Sequence, residues 1–307
     1  MRRVILVSDS SKAVFKSREE KIRSALVKAF DTWTTPVDIR PEGVFGSIAI
    51  VKSGQVTLSS ETLDIEFDVP FDDDMEANEA EIVVYNLSDN TIKQLKKGEA
   101  ITIEAGYKGD TGVLFDGFIS KVKTEYDEAD KKTTIYALDD IKEHKIVSMT
   151  FNKNTKASTI LRTLIGKTGI PVAVFKIRRD HTYDHEQTID GDLMANISRL
   201  AKVCGISVYV SKGKIYARHI KEGDNLNFTV SSETGMIGSP TQYTEEITAE
   251  DFTDVIDGYD VKMLLQHRMC AGAIVSLKSK AASGTYRVCS GTHSFSPYET
   301  TTKIKMY

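Results

Sequence analysis

Apolar and polar residues alternate along much of the chain, a spacing of two that is typical of strands with one buried face. From about residue 44 this pattern runs through the segments 56–58 and 63–69. Residues 82–85 form a compact apolar run, and further short strand-like runs continue to residue 138. Glycine and Asp/Asn clusters separate the runs. The pattern predicts an antiparallel barrel or sandwich, interrupted by one short helix that Ser88 begins and Gly98 ends.

Other segments have the spacing of helices. In the first 40 residues, Ser17 and Glu20 have the spacing of a capping box, and Ile22, Leu26 and Phe30 follow on one helical face. A short strand is expected before this amphipathic helix, at residues 4–7.

Residues 150–222 predict a small α+β unit of two helices followed by a hairpin that turns at residues 211–213. The expected helix boundaries are set by capping and stopping residues: Thr155 or Ser158 at the first start, Gly166 or Gly169 at its end, and Gly205 after the second helix.

These changes of period divide the chain into four parts. They are an N-terminal extension (1–43), a first β domain (44–148), an α+β domain (149–225) and a second β domain (226–307). The predicted fold class is therefore mainly β with an α+β insertion. A faint internal echo supports a relation between the two β domains, because each has glycines around a β-rich run near its end.

The composition is that of a globular protein, with 40% hydrophobic and 27% charged residues and a net charge of -4. The mild acidity argues against specific nucleic-acid binding, although DNA could pass through an acidic channel. Three cysteines without a C-x-x-C spacing indicate a reducing cytosol. No stretch approaches the roughly 20 apolar residues of a membrane helix, so no membrane insertion is expected.

Two groups of residues could in principle bind a metal. His181 and His185 are four residues apart and lie beside Asp180 and Asp184, but their surroundings lack a helical apolar period, so a polar loop is the favoured interpretation. An acidic run lacks the order of an EF-hand and is predicted to be a solvated loop. Its members are Asp72, Asp73, Asp74, Glu76, Glu79 and Glu81.

A cysteine nucleophile would need a histidine base beside it. Cys204 follows an apolar helix and is expected to be buried, whereas Cys270 is close in sequence to His267. Cys289 and His293 fall on a predicted strand and a predicted loop. No flanking signature supports a nucleophile, so the sequence predicts no catalytic residue, no metal site and no cofactor.

An ordered series of motifs resembles the phage tail-hub (baseplate hub) family. The segments 79–88 (EAEIVVYNLS), 101–107 (ITIEAGY) and 112–119 (GVLFDGFI) resemble its first barrel, and GTYRV at 284–288 resembles its second. The positions that carry the resemblance are Tyr85, Asn86, Leu87, Ser88, Gly106, Tyr107, Gly117, Gly284, Tyr286, Val288 and His293.

The family includes the hubs of contractile tails, R-type bacteriocin hubs and the base of type VI secretion spikes. The resemblance implies two tube-like antiparallel β-barrel domains flanking the α+β domain, and a homotrimer that adapts a six-fold tail tube to a three-fold central spike. Its expected partners are the tail tube protein, the central spike protein and other baseplate proteins. The expected location is a virion or phage-like particle assembled from protein made in the bacterial cytoplasm.

Two alternatives stay open. A tail-associated cell-wall hydrolase would need paired carboxylates or a Cys–His pair in one cleft. A glycan- or receptor-binding module at the tail tip would need exposed aromatic side chains, and the single tryptophan, Trp33, lies outside both β domains. The residues do not distinguish a phage from a bacteriocin particle, or a contractile from a non-contractile tail.

Overall fold

A computed structural model describes residues 46–127, 130–139, 145–249 and 252–307 of the 307-residue chain. The strand and the amphipathic helix expected in the first 40 residues lie outside this part, and so does Trp33.

The described elements fall into three consecutive groups. The first comprises β1 (Ser47–Ser53), β2 (Val56–Ser59), β3 (Ile65–Phe71), β4 (Glu79–Tyr85), α1 (Asp89–Gln94), β5 (Ala100–Tyr107), β6 (Asp110–Asp127) and β7 (Asp130–Leu138). The second comprises β8 (Ile146–Phe151), α2 (Ala157–Thr168), β9 (Val172–Phe175), β10 (Gln187–Asp192), α3 (Leu193–Val203), β11 (Ser207–Ser211) and β12 (Lys214–Arg218). The third comprises β13 (Asp224–Val230), β14 (Met236–Ala249), β15 (Phe252–Leu264), β16 (Ala273–Lys278), β17 (Ser283–Phe295) and β18 (Thr300–Met306).

The predicted mainly β fold is confirmed, and its largest feature is one continuous sheet of 13 strands within the described residues. The sheet runs in the order β14-β15-β18-β17-β3-β4-β7-β6-β5-β1-β2, while β16 pairs with β17 and β13 pairs with β16. The first and third groups meet where β17 pairs antiparallel with β3, from Gly291 opposite Phe71 to Phe295 opposite Phe67. We call this pairing the seam.

The order of strands is repeated on the two sides of the seam. In the first group β3, β4, β7, β6, β5 and β1 are neighbours in that order, and in the third group β14, β15, β18, β17, β16 and β13 follow the same sequence of connections. One pair departs from the repeat, because β1 is antiparallel to β5 whereas β13 is parallel to β16. Among the described residues no strand pairing closes either half into a barrel, so the two-barrel architecture stays a prediction.

Three apolar clusters correspond to the three groups. The first lies inside β1–β7, the second holds α2 and α3 against β8–β12, and the third lies among β13–β18. The sequence pattern accounts for them, because alternate residues of each strand face the cluster, as Ile101, Ile103 and Ala105 do in β5.

The helix starts and ends follow the capping chemistry with two corrections. Ser88 caps α1 as predicted, but α1 ends at Gln94 instead of Gly98, because Leu95 leaves the helix to enter the first apolar cluster. For α2, neither Thr155 nor Ser158 occupies the cap position, which is held by Lys156 without a side-chain bond. A carboxylate from a neighbouring loop instead accepts the hydrogen bonds at the start of α2.

That carboxylate is Asp180, which accepts hydrogen bonds from the Ser158 amide (3.0 Å) and the Ser158 hydroxyl (2.8 Å). Gly169 ends α2 with a φ of 79°, a left-handed value that suits glycine. The hairpin β11–β12 is confirmed, and its turn places Lys212 and Gly213 at positive φ, as a two-residue hairpin turn requires.

Candidate assembly surface

Arg287 of β17 joins all three groups of elements. Its Nη1 donates to Asp73 Oδ2 (2.5 Å), from the loop between β3 and β4, and to the Tyr307 hydroxyl (3.0 Å), while its Nε donates to the Glu222 carbonyl (2.9 Å). The guanidinium is buried, and its Nη2 has no hydrogen-bond partner among the described residues. The ion pair therefore fixes the β3–β4 loop against the third group at a point that water hardly reaches.

The charges of this pair shift each other's pKa values. Burial raises the pKa of Asp73, and Arg287 only partly offsets this effect. Burial opposes the charge of Arg287 as well, but the nearby Asp73 carboxylate raises its pKa overall. The guanidinium thus remains charged, and its removal would leave Asp73 buried without a cation.

A second buried arginine, Arg218 at the end of β12, attaches the middle group to the third. Its Nε (3.0 Å) and Nη2 (2.6 Å) donate to the Tyr209 hydroxyl, and its Nη1 donates to Asp224 Oδ2 (2.9 Å). The Tyr209 and Tyr216 rings stack 5.4 Å apart, and the guanidinium lies 5.0 Å from the Tyr216 centroid. Aromatic and charged contacts together position the middle group.

A third contact connects the first group with the loop after β15. Arg268 donates two hydrogen bonds to the Asp110 carboxylate (2.8 and 2.6 Å), and Lys212 donates to the carbonyl of His267 (2.9 Å). The His267 ring fills the space above Gly112, where a Cβ would lie 2.2 Å from the ring. Although burial opposes its charge, the hydrogen bonds from Arg268 hold the pKa of Asp110 below its usual value.

His267 makes the free energy of unfolding depend on pH. Burial, with Arg268 close by, lowers its pKa to about 4, whereas an unfolded chain has a histidine pKa of about 6.5. Between these values the unfolded chain binds more protons, so we expect the free energy of unfolding to fall as pH is lowered from 6.5 to 4, by up to about 1.4 kcal/mol per pH unit from this one group. Chemical denaturation of the chain and of the His267→Gln variant across this range measures the effect; equal slopes for the two would contradict it.

The residues of the Tyr-Asn-Leu-Ser motif form the turn from β4 into α1. Asn86 has a φ of 56°, and its side chain bonds to the β6–β7 hairpin through Asp130 Oδ1 (2.9 Å) and the Lys131 amide (3.0 Å). Leu87 enters the first apolar cluster, while the Ser88 hydroxyl accepts from the Thr91 amide. The half-buried Tyr85 ends β4.

Two glycines of the family motifs, Gly106 and Gly117, lie where the backbone leaves no room for a side chain. A Cβ at Gly106 would lie 2.2 Å from the Asp110 carbonyl oxygen, and one at Gly117 would lie 2.3 Å from the Leu138 carbonyl oxygen. Tyr107, next to Gly106, has its hydroxyl 3.5 Å from the Thr300 carbonyl of the third group. Gly284 is exposed.

The remaining motif residues lie on β17. Val288 is buried in the third apolar cluster, and Tyr286 makes an edge contact with Tyr259 at 5.4 Å. His293 was expected in a loop, but β17 extends to Phe295 and buries it in the seam. Its Nε2–H donates to the Met269 carbonyl (3.1 Å) and its Nδ1 accepts from the Thr302 hydroxyl (2.9 Å), while burial lowers its pKa to about 3.

The thiols of Cys204 and Cys289 are unsuited to nucleophilic attack. Burial raises the pKa of Cys204 to about 11 and also raises that of Cys289, whose Sγ donates to the Lys305 carbonyl (3.2 Å). A thiol must ionise to act as a nucleophile, and these two stay protonated at neutral pH. The expected burial of Cys204 is confirmed; Cys270, near His267 in sequence, is partly exposed.

The possible metal sites have other roles. His181 makes an edge contact with Tyr183 at 4.7 Å and lies in a loop with His185, while Asp180 caps α2 and Asp184 is exposed. No group of three or more possible metal-binding side chains occurs in the part of the chain that the structure describes.

The solvated loop predicted for the acidic run is wrong at its beginning, because Arg287 draws Asp73 inward, and burial near Asp74 raises the pKa of Asp72 to about 6. The rest, Asp74, Glu76, Glu79 and Glu81, is exposed, but the loop prediction is also wrong at its end, because Glu79 and Glu81 lie in β4.

Among the open strand edges of the described residues, two belong to the long strands β14 and β6. β14 is the last strand of the sheet and pairs only with β15 among the described residues. One edge of β6 pairs with β5 as far as Phe118, and beyond that point no described strand covers it, although β7 continues along the other edge. Unpaired edges are surfaces on which another chain can add strands. The sequence reasoning did not identify either edge.

Residues 50–288 match the protein family described as Baseplate hub gp41. This chain is a member of the baseplate hub gp41 family. None of the curated proteins matches the sequence of this baseplate hub family member.

Solved structures share the fold of this hub-family chain. The 43 kDa tail protein of prophage MuSo2 from Shewanella oneidensis has a TM-score of 0.61 and 11% identity, and the match covers 85% of this chain and 97% of that protein. The tail protein from Neisseria meningitidis MC58 has a TM-score of 0.59 and 10% identity, with coverage of 85% and 96%.

The third structure is the E. coli c3393 protein, a component of the type VI secretion system that exhibits structural similarity to the T4 tail proteins gp27 and gp5. Its TM-score is 0.58 at 10% identity, and the match covers 83% of this chain and 76% of that one. Such low identities show a common fold alone. Family and fold together support a structural role in a phage tail for the chain. None of its described helices is long and apolar enough to cross a membrane.

Proposed function

We propose that the chain is the hub of a phage or phage-like baseplate, a homotrimer that joins a six-fold tail tube to a three-fold central spike. The repeated strand order carries this proposal. Because each copy holds the same succession of strands twice, three copies present six similar modules, and a ring of six modules matches a six-fold tube while retaining three-fold symmetry. The tail tube, spike and other baseplate proteins are its partners.

In this proposal residues 44–148 and 226–307 are the two tube-like barrel modules, and residues 149–225 are the α+β domain between them. The contacts of Arg287, Arg218 and Arg268 support a rigid subunit, since each connects different groups of elements. Rigid placement of the modules is what an adaptor between two symmetries needs. The environments of Cys204 and Cys289 favour this structural role over the cysteine hydrolase.

The mass of the assembled particle tests the hub proposal. We expect the chain, co-expressed with the tube and spike proteins, to purify in complexes that contain three copies of the 34.1 kDa subunit for each trimeric spike and each six-fold ring of the tube. Native mass spectrometry gives the copy numbers. Six copies per tube ring, or a complex without the spike, would contradict the proposal; the spike and tube proteins without the chain serve as the control.

A further inference from the structure

The seam within the chain indicates how two copies of the chain meet. Along one edge, β17 pairs first with β16, as far as Arg287, and then with β3, from Gly291 onward. In the repeated strand order β6 takes the place of β17, and β5 takes the place of β16. The β5 pairing ends at Phe118, so the rest of β6 has an open edge at the place where β17 has β3.

The matching open edge belongs to β14. In the repeated order β14 takes the place of β3, and its outer edge has no partner strand among the described residues. We propose, on the basis of the hub function above, that the free part of β6 in one copy pairs antiparallel with β14 of the next copy, as β17 pairs with β3 inside each copy. The partner that binds these two edges is thus a second copy of the same chain.

The pairings within each half fix the register of β6 relative to β17. In both strands a register shift interrupts the ladder, between Ile119 and Lys121 in β6 and between Val288 and Ser290 in β17. Counting from this shift makes Thr124 equivalent to His293. The hydrogen bonds agree, because Thr124 lies 3.3 Å from the Thr133 hydroxyl of β7, and His293 bonds to the Thr302 hydroxyl of β18, the strand equivalent to β7.

The same counting relates β14 to β3. Asp68 of β3 lies opposite Glu81, and Thr241 of β14 lies opposite Asp260 at the equivalent position of β15, so Gln242 corresponds to Val69. Because His293 lies opposite Val69 in the seam, Thr124 of one copy lies opposite Gln242 of the next. Both residues are exposed in the single chain.

The exposure of one aromatic side chain distinguishes the open edge from the seam. Phe295 is 6% exposed because it stacks on Phe67 of β3, with ring centroids 5.3 Å apart. The equivalent residue on β6 is Tyr126, which is 78% exposed. Phe295 is thus covered by a neighbouring strand, whereas Tyr126 at the equivalent position is exposed to water. Pairing of β6 with a second copy would cover Tyr126.

The surface near the start of β14 has apolar residues of its own. Ile237 and Tyr298 are exposed and line a groove of about 450 Å³ together with Tyr107 and Leu264. Tyr298 lies in a tight turn, in which the Ser296 amide donates to the Glu299 carbonyl (2.7 Å). In the proposed register the end of β6 that carries Tyr126 approaches this part of β14.

Contact between two different surfaces also fits the proposed stoichiometry. The β6 edge and the β14 edge are different surfaces in the two halves of the sheet, so their pairing is head-to-tail and continues from copy to copy until the ring closes. Each copy then has one seam inside and one seam to each neighbour, and in a trimer the two kinds of seam alternate around the ring.

A pair of engineered cysteines tests the register directly. Residues directly opposite in an antiparallel pair have Cα atoms about 4.5–5.5 Å apart, which lies within the roughly 4.4–6.8 Å that a disulfide needs. We expect the full-length Thr124→Cys/Gln242→Cys variant to form disulfides between copies under mild oxidation, and non-reducing gels to show covalent dimers and trimers. The register control is Thr124→Cys/Thr244→Cys, which we expect to cross-link much less because the two positions are diagonal.

The Tyr126→Ala variant provides a second measurement. We expect it to weaken association of the chain at least tenfold, since an aromatic side chain buried at an interface commonly contributes more than about 1.4 kcal/mol. The matched control is Ile146→Ala, which removes an apolar residue of similar exposure (75%) at the start of β8 and should leave association unchanged. Sedimentation velocity over a concentration series measures both.

The outcomes separate this inference from the hub function. A trimer that forms without the Thr124–Gln242 cross-link, or that tolerates Tyr126→Ala as well as Ile146→Ala, overturns the proposed seam between copies and leaves the hub function standing. A chain that remains monomeric even with its tube and spike partners overturns both. Cross-linked trimers with the expected register support both.

Discussion

Replacing Arg287 with methionine is expected to lower the free energy of unfolding by about 3–5 kcal/mol. Methionine fills part of the space of the arginine side chain in β17. It removes the cation that faces Asp73 and the donors to Tyr307 and Glu222. Asp73 would then be a carboxylate in a site with little water, where an unpaired charge is costly. Urea denaturation followed by circular dichroism measures the loss.

The double variant Asp73→Asn/Arg287→Met isolates the cause of that loss. Because it removes both charges, we expect it to recover a large part of the stability lost by Arg287→Met alone. The matched control is Lys52→Met in the exposed pair Lys52–Glu104, whose side chains are 48% and 29% exposed and whose loss should cost about 0.2–1 kcal/mol. An Arg287→Met variant no less stable than this control would contradict a buried ion pair between the groups.

The parts of the fold that depend on local chemistry could be predicted from the sequence. Period two identified strands such as β2 and β3, Ser88 identified the start of α1, and the hairpin around Lys212 and Gly213 followed from its turn residues. The strands β1, β8, β9 and β10 were not predicted. Each of these features is decided within about ten residues. The burial of Cys204 was predictable for the same reason, because it follows an apolar helical stripe.

The contacts between distant segments could not be predicted in this way. Arg287 and Asp73 are 214 residues apart, and the sequence around either residue does not indicate that the other is its partner. A usable signal did exist, because Arg287 lies between Tyr286 and Val288 in a predicted strand, and a charged residue that becomes buried usually has a partner. The acidic run was misjudged for the same reason, since solvation was inferred from composition while a distant cation decided the position of Asp73.

The open edges could be identified only from the order of the strands in the sheet. The glycine echo suggested a duplication, but the equivalence of β6 with β17 and of β14 with β3 follows only from which strands are neighbours. Likewise, His293 was predicted to lie in a loop, and the residues around it, 289–295, alternate poorly. The pairing with β3 and β18 extends β17 through this segment. Strand pairing over long sequence separations is the information that a single sequence lacks.

Replacing Phe295 with alanine is expected to lower the free energy of unfolding by about 3–5 kcal/mol. Phe295 is buried and stacks on Phe67 across the seam, so the variant loses apolar burial and leaves a cavity between the two halves of the sheet. Because the seam connects the halves, we also expect the single unfolding transition to broaden or divide into two. Thermal unfolding in a calorimeter measures the stability and the number of transitions.

Tyr126→Ala is the matched control for Phe295→Ala, because the two residues occupy equivalent positions and differ in exposure. At concentrations where the chain is monomeric, removal of the exposed Tyr126 ring should change the free energy of unfolding by no more than about 0.5 kcal/mol. Its effect should appear in association instead. If Tyr126→Ala destabilises the monomer as much as Phe295→Ala, then Tyr126 is already covered within the chain, and the asymmetry between a filled and an open strand edge would be lost.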